Sequence, residues 1–205
     1  MNTIPLFPLE TTLFPAGALT LRIFEVRYLD MIKKCIANGT QFGVVTLLSG
    51  SEVRRPEGRE ELATVGTMAR IDEWSAPMPA LLHLRCTGTT RFHLASSEQG
   101  KYGLWVGAAL PIDDDPRLPI PQQLQASANA LGGAIAKLQR DGMPAAEMPF
   151  APPFRLDESG WVADRWCELL PLPVQEKLRL LALRDPVSRL EYVQAFMRER
   201  GLLGH

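Results

Sequence analysis

Few residues of this sequence have the types and spacing that chemistry requires. His83 and His93 fall in two predicted strands of one hairpin, with Cys86 between them in the sequence. Two neighbouring histidines would suit half of a metal site, and a Cys–His pair would suit a nucleophile. Strand alternation, however, puts His83 and Cys86 on opposite faces. We therefore expect neither metal binding nor catalysis from these residues.

The acidic run Asp113-Asp114-Asp115 is a second candidate, because clustered carboxylates suit hard cations. Neighbouring side chains on an extended segment diverge, and Pro116 follows directly. We expect a solvated linker here, and no bound metal.

Known catalytic and cofactor motifs do not occur. The only Gly-Lys pair, Gly100-Lys101, precedes Tyr102 where a phosphate-binding loop needs serine or threonine. There is no GxSxG, HExxH or GxGxxG sequence. The three cysteines are widely spaced and form no CxxC pair, so we expect reduced core thiols. No cofactor is expected.

Two proline-rich loops carry more large apolar residues than loops usually do, namely EWSAPMPAL (73–81) and MPAAEMPFAPPF (143–154). Methionine and aromatic side chains on stiff loops suit the binding of extended apolar peptide. Alternatively, the loops cover the junction between the two halves of the chain. The peptide-binding candidates are Trp74, Met78, Met148, Phe150 and Phe154.

Two arginines and a glutamate lie close together within the largely apolar segment LFPAGALTLRIFEVRYLDM (13–31), namely Arg22, Glu25 and Arg27. Charges among apolar residues need partners, and a carboxylate is favoured at a helix N-terminus. We predict a structural ion-pair cluster that holds a strand-to-helix corner. A role in ligand binding is the alternative.

Composition excludes several classes of protein. With 22 Lys+Arg and 23 Asp+Glu the formal net charge is -1, so nucleic acid is an unlikely partner. No secretory signal or run of 18 apolar residues occurs, so we expect a cytoplasmic protein that does not enter membranes. The sequence leaves the oligomeric state open.

The elements that position these residues change character near residue 115. Before it, about six or seven short extended segments are separated by turns, and one helix is predicted from Glu25 to Ala37. One helix among many strands favours a β-barrel plugged at one end. The predicted segments are 3–7, 18–24, 41–48, 62–74, 80–88, 90–97 and 102–112.

Beyond this point the pattern is helical. Helices are predicted over 118–140, 161–170, 174–184 and 186–200, with a proline-rich loop over 141–160. Asp185 before Pro186 is a predicted N-cap. The fold class is therefore α+β, with a β-barrel domain at 1–115 and a helical bundle domain at 116–205.

The segment IPLFPLETTLFPAGALTLRIFEVRYLDMI closely resembles the start of the Lon substrate-binding domain family, the N-terminal domain of Lon proteases and its stand-alone bacterial relatives. VGTMARI, TGTTRFHL and LLPLPVQEKLRLLALRDPVSRLEYV are similar to later parts of the family. Ala16 departs from the usual glycine, and Thr20 and Val26 from the usual proline. The resemblance covers nearly the whole chain.

This resemblance implies a PUA-like pseudo-barrel followed by a helical bundle. It also implies a domain that binds unfolded or peptide segments of protein, as an adaptor in protein quality control or proteolysis. Lon proteases carry an ATPase domain and a Ser-Lys dyad, and because neither follows within these 205 residues we expect no enzymatic activity. RNA binding is the alternative function, since other PUA-like barrels bind RNA, but no basic stripe with interleaved aromatic residues supports it.

Overall fold

The computed structural model describes residues 2–50, 60–144 and 147–203. The chain forms two compact units, Met1–Asp113 and Asp114–His205. Six strands and one α-helix lie in the first unit, and four α-helices lie in the second. The predicted mixed α+β composition is confirmed. No helix among the described residues is both long and apolar enough to cross a membrane.

The strands of the first unit form one sheet that closes on itself. Its order is β2-β5-β4-β3-β1-β6, and β6 also pairs with β5. Strands β5, β4, β3, β1 and β6 thus form a closed ring of hydrogen-bonded neighbours. Strand β2 lies outside the ring and pairs with residues 82–87 of β5. Only β1 and β3 are parallel among these pairs. The strands are β1 (Asn2–Leu9), β2 (Ala18–Ile23), β3 (Phe42–Ser49), β4 (Glu61–Met78), β5 (Leu81–Gln99) and β6 (Trp105–Pro111).

Strand β5 corrects the sequence prediction of two strands at 80–88 and 90–97. The chain stays extended through Gly88 and residue 89, where a turn was expected between the two segments. A Cβ atom at Gly88 would lie 2.3 Å from the carbonyl oxygen of Phe14, so glycine is there for a close backbone approach. His83 and His93 are consequently ten residues apart on one strand, on the order of 30 Å of extended chain.

Helix α1 (Val26–Asn38) agrees with the predicted helix to within one residue. Its apolar face is buried with the inward-facing residues of β2 and β5 in one core. The helix ends because Gly39 adopts a left-handed conformation with φ of 62°. Val26 stands at the first helical position, a position at which proline is favoured in helices generally.

The second unit contains α2 (Gln125–Arg140), α3 (Ser159–Leu169), α4 (Val174–Ala182) and α5 (Pro186–Glu199). Helix α2 begins seven residues later than predicted (118 to 125), because the preceding segment holds Pro119 and Pro121 and bridges to Glu158. The Asp185 cap is confirmed, since its carboxylate accepts hydrogen bonds from the backbone N–H groups of Val187 and Ser188.

A buried arginine ties α5 to the rest of the second unit. Arg189 is fully buried, and its guanidinium donates to Asp115, to Asp164 at 2.8 Å and to the carbonyl oxygen of Leu180 at 3.0 Å. Asp115 therefore belongs to an internal ion pair, and the prediction of a solvated linker at this residue is wrong. Burial of the arginine requires these carboxylates as partners.

Candidate functional site

The far end of the β4–β5 hairpin exposes large apolar side chains. Beyond Ala69, strand β4 has no partner in β3, and it continues to Met78 beside β5 alone. Trp74 is 53% exposed and Met78 is 59% exposed. Single exposed apolar residues are ordinary, whereas several together on one projecting element form a surface suited to binding.

The pairing register separates these two candidates. Trp74 pairs with Leu84, which lies in the core, whereas Met78 pairs with Leu81 across a bulge. Residues directly opposite each other share a face of the sheet, and Leu81 and Leu84 differ by an odd number of positions. Trp74 and Met78 therefore lie on opposite faces of the hairpin end.

Two further exposed residues were not among the sequence candidates, namely Phe24 at 56% and Val26 at 67% exposure. Phe24 directly follows Ile23, which pairs with Leu82, so it lies close to the Met78 end of the hairpin. The available signal was strand alternation, which put Phe24 on the half-exposed face of β2. We call Phe24, Val26, Trp74 and Met78 together the hairpin-end surface, which takes in both faces of the hairpin end.

The other candidates lie in the second unit. Met148 is 8% exposed and Phe150 is 2% exposed, so both belong to the core of that unit. Phe154 is partly buried, and its ring centroid lies 6.3 Å from that of Trp161. Residues 145–146 of the same loop lie outside the described residues. This loop therefore offers much less apolar surface than its composition indicates.

The predicted ion-pair cluster differs in membership. The Nε atom of Arg27 lies 3.1 Å from the Glu25 carboxylate, and its Nη1 donates to the carbonyl oxygen of Gly103 at 2.9 Å. Arg22 is exposed and donates instead to Nε2 of His83. The third member of the cluster is therefore Glu60 and not Arg22, and its carboxylate lies 3.8 Å from Nη2 of Arg27. The structure thus brings Glu25 and Arg27 together, and Arg27 joins α1 to the turn before β6.

No group of three or more His, Cys, Asp or Glu residues in the described part of the chain is arranged to hold a metal ion. The thiols of Cys35, Cys86 and Cys167 are free and buried. Burial raises the pKa of each thiol, that of Cys86 to about 12 with a further contribution from Asp72. Such thiols are poor nucleophiles.

Two pockets of about 390 Å³ each lie in the first unit. One is lined mainly by apolar side chains, among them Ile4, Met68 and Phe92. The other lies beside α1 and mixes charged with apolar residues, including Arg27, Lys34 and Lys101. We call the second one the α1 pocket.

Residues 3–199 match the family model described as the ATP-dependent protease La (LON) substrate-binding domain. The crystal structure of a Lon N-terminal domain protein from Xanthomonas campestris is similar, with 30% sequence identity and a TM-score of 0.73 over 95% of this chain and 98% of that chain. The N-terminal domain of a Mycobacterium avium complex Lon protease shares the fold at 16% identity, with a TM-score of 0.59 over 94% of this chain and 96% of that chain.

Among curated proteins, Lon protease 2 of Myxococcus xanthus is 25% identical over 210 residues. The alignment covers 98% of this chain and 24% of that protein, so the chain spans about a quarter of the length of this relative. The family match, in contrast, extends over nearly the whole chain, as the sequence resemblance does. This chain therefore belongs to the LON substrate-binding domain family.

Proposed function

We propose that this protein is a non-catalytic recognition module that binds unfolded or peptide segments of other proteins. The observation that carries this proposal is the hairpin-end surface, in a chain that belongs to a family of substrate-binding domains. Trp74 and Met78 lie on strand β4, Val26 begins α1, and Phe24 lies in the short connection between β2 and α1. Burying such side chains against a partner contributes about 25 cal/mol per Å² of apolar area.

The position of the hairpin-end surface favours extended polypeptide as the ligand. Trp74 projects from a paired strand, so little conformational entropy is lost when a ligand orders it. Tryptophan is also enriched among the residues that dominate binding energies. Because Trp74 and Met78 lie on opposite faces, they contribute as separate contacts.

We further infer that the first unit is a PUA-like pseudo-barrel with α1 inserted, and that the second is a helical bundle. The closed ring of strands and the packing of α3 against α2, α4 and α5 support this assignment. The domain boundary then falls near the Asp113–Asp115 run. An adaptor role in proteolysis, in the cytoplasm, follows from the same family membership as a proposal.

The test is fluorescence anisotropy with a labelled, reduced and alkylated polypeptide that cannot fold, and with a labelled single-stranded RNA, each at two salt concentrations. We expect saturable polypeptide binding that survives the higher salt concentration. Trp74→Ala and Met78→Ala should each weaken it about 5- to 10-fold, equivalent to about 1 to 1.4 kcal/mol.

The matched control is Leu202→Ala, which removes a side chain of similar exposure (55%) from the second unit and should leave affinity unchanged. Equal affinity of all the variants and the unaltered protein would show that the hairpin-end surface does not bind. Binding of RNA alone, with a steep dependence on salt, would assign the protein to the nucleic-acid class instead.

A further inference from the structure

The α1 pocket has the composition of a carboxylate site with an apolar floor. Cationic side chains reach it from two directions, Lys34 from α1 and Lys101 from the turn before β6. Met31, Leu104 and Val106 supply apolar lining in the same pocket. A ligand that satisfies both kinds of lining must carry an anionic group close to an apolar one.

Arg27 contributes a buried donor at this pocket. Its side chain is only 4% exposed, and two of its nitrogens are satisfied by Glu25 and by the carbonyl oxygen of Gly103. The third, Nη2, lies 3.8 Å from Glu60, beyond hydrogen-bonding distance, and donates to no group among the described residues. A buried donor without an acceptor is costly, so an incoming anion that accepts from it gains stability.

Three of the charged side chains that line the pocket are cationic, and one, Asp30, is anionic. Glu25 and Glu60, which are not among the lining residues, lie against Arg27 and more than offset its charge, so the six groups together sum to zero. Lys34 and Lys101 then stand against a single lining carboxylate, Asp30. These two exposed lysines are therefore the groups whose charge an anionic ligand would neutralise.

We propose that the α1 pocket binds the C-terminal carboxylate of a polypeptide whose last residue is apolar. This inference rests on the proposed function and names one class of segment that the module recognises. The last residue of a polypeptide carries its carboxylate and its side chain on the same Cα atom. A terminal apolar residue can therefore place an anionic group and an apolar group side by side, next to the charged and the apolar lining of the pocket. The volume of about 390 Å³ is near the lower limit for ligand sites and suits a chain end.

The experiment compares two labelled peptides that differ only at the terminus. Both have a polar Ser/Gly body and end in Ala-Leu, one as the free acid and the other as the amide. Anisotropy titrations should show about tenfold tighter binding of the free acid. The double variant Lys34→Gln, Lys101→Gln should lose most of this preference, whereas the matched control Lys33→Gln, on the same helix but outside the pocket, should keep it.

All three substituted residues are exposed, so melting temperatures of the variants should match that of the unaltered protein. Equal affinity for acid and amide would overturn the proposal, as would a preference that persists in the double variant. Polypeptide binding that still depends on Trp74 would show that the proposed function survives such a failure. Conversely, a preference for the free acid without binding of the alkylated polypeptide would refute only the wider function.

Discussion

Ala16 adopts a left-handed backbone conformation with φ of 59°. The turn it forms is fixed on both sides, since Ala16 N donates to the carbonyl oxygen of Gly88 at 2.8 Å and Gly17 N donates to that of Phe14 at 3.0 Å. This conformation costs a residue with a Cβ atom about 1–2 kcal/mol, whereas glycine adopts it freely. The usual glycine of the family at this position therefore has a backbone explanation.

We predict that Ala16→Gly raises the free energy of unfolding by about 0.5–1 kcal/mol. Relief of the strained backbone exceeds the added flexibility of glycine in the unfolded chain. Urea denaturation measures the change. The same substitution in a helix, Ala37→Gly in α1, is the matched control and should lower stability. A loss of stability in both variants would contradict the assignment of strain to Ala16.

At the scale of single elements, α5 depends on its N-terminal cap. The Asp185 carboxylate accepts from Val187 N at 3.3 Å and from Ser188 N at 3.1 Å. Hydrogen bonds from Ser188, first from its side chain and then from its backbone, lower the pKa of Asp185. The charged form is thus favoured in the folded protein, so its contribution is present above the unfolded pKa and is lost as the pH falls through the folded pKa.

We predict that Asp185→Ala lowers the free energy of unfolding by about 1 kcal/mol at pH 7. The difference from the unaltered protein should shrink as the pH falls through the lowered pKa of Asp185, where the carboxylate becomes protonated. Asp185→Asn keeps a capping side chain without a titrating group and should retain most of the stability at pH 7. Urea titrations at pH 7 and pH 3 measure both effects, and a difference that stays constant with pH would rule out the charged cap.

Elements with local signals were predictable from the sequence, and those that depend on distant contacts were not. Helix α1 and the start of α5 follow from apolar spacing, Gly39 and Asp185, all within the elements themselves. The continuity of β5 depends on the approach of the Phe14 carbonyl group to Gly88, which no local pattern encodes. The partner of Arg22 likewise depends on the register of β2 against β5.

The residues of the candidate site were likewise predictable only in part from the sequence. Trp74 and Phe150 occur in proline-rich segments that were both predicted as loops, yet Trp74 is half exposed on strand β4 and Phe150 is buried. Burial depends on which residues the remaining chain packs against the loop, so composition identified the residue types but not their exposure.

At the scale of the whole molecule, the reactivity of the thiols measures the unfolding of each unit separately. Cys35 and Cys86 are buried in the first unit, and Cys167 is buried in the second. The raised pKa values leave little thiolate at pH 8, so reaction with a thiol reagent requires unfolding.

We predict that, without urea, none of the three cysteines reacts with the thiol reagent. The reaction time is the time needed for complete labelling of the protein in concentrated urea. As the urea concentration rises, Cys35 and Cys86 should become reactive at one common midpoint, because they share one core. Mass spectrometry of the labelled peptides assigns each site. Reaction of Cys35 without Cys86 would contradict a single cooperative core in the first unit.

The closed ring of strands bears on aggregation. Open strand edges are where unfolded chains join a sheet and begin to aggregate. Here β6 pairs with both β1 and β5, so the open edges among the described strands are β2 and the part of β4 beyond Ala69. That part of β4 holds Pro77, and its pairing with β5 is interrupted by two register shifts, features that hinder the addition of a further strand. If unfolded chains bind at this hairpin, as proposed, they contact its side chains and find few free backbone groups to pair with. The protein is then not readily drawn into aggregates of its own ligands.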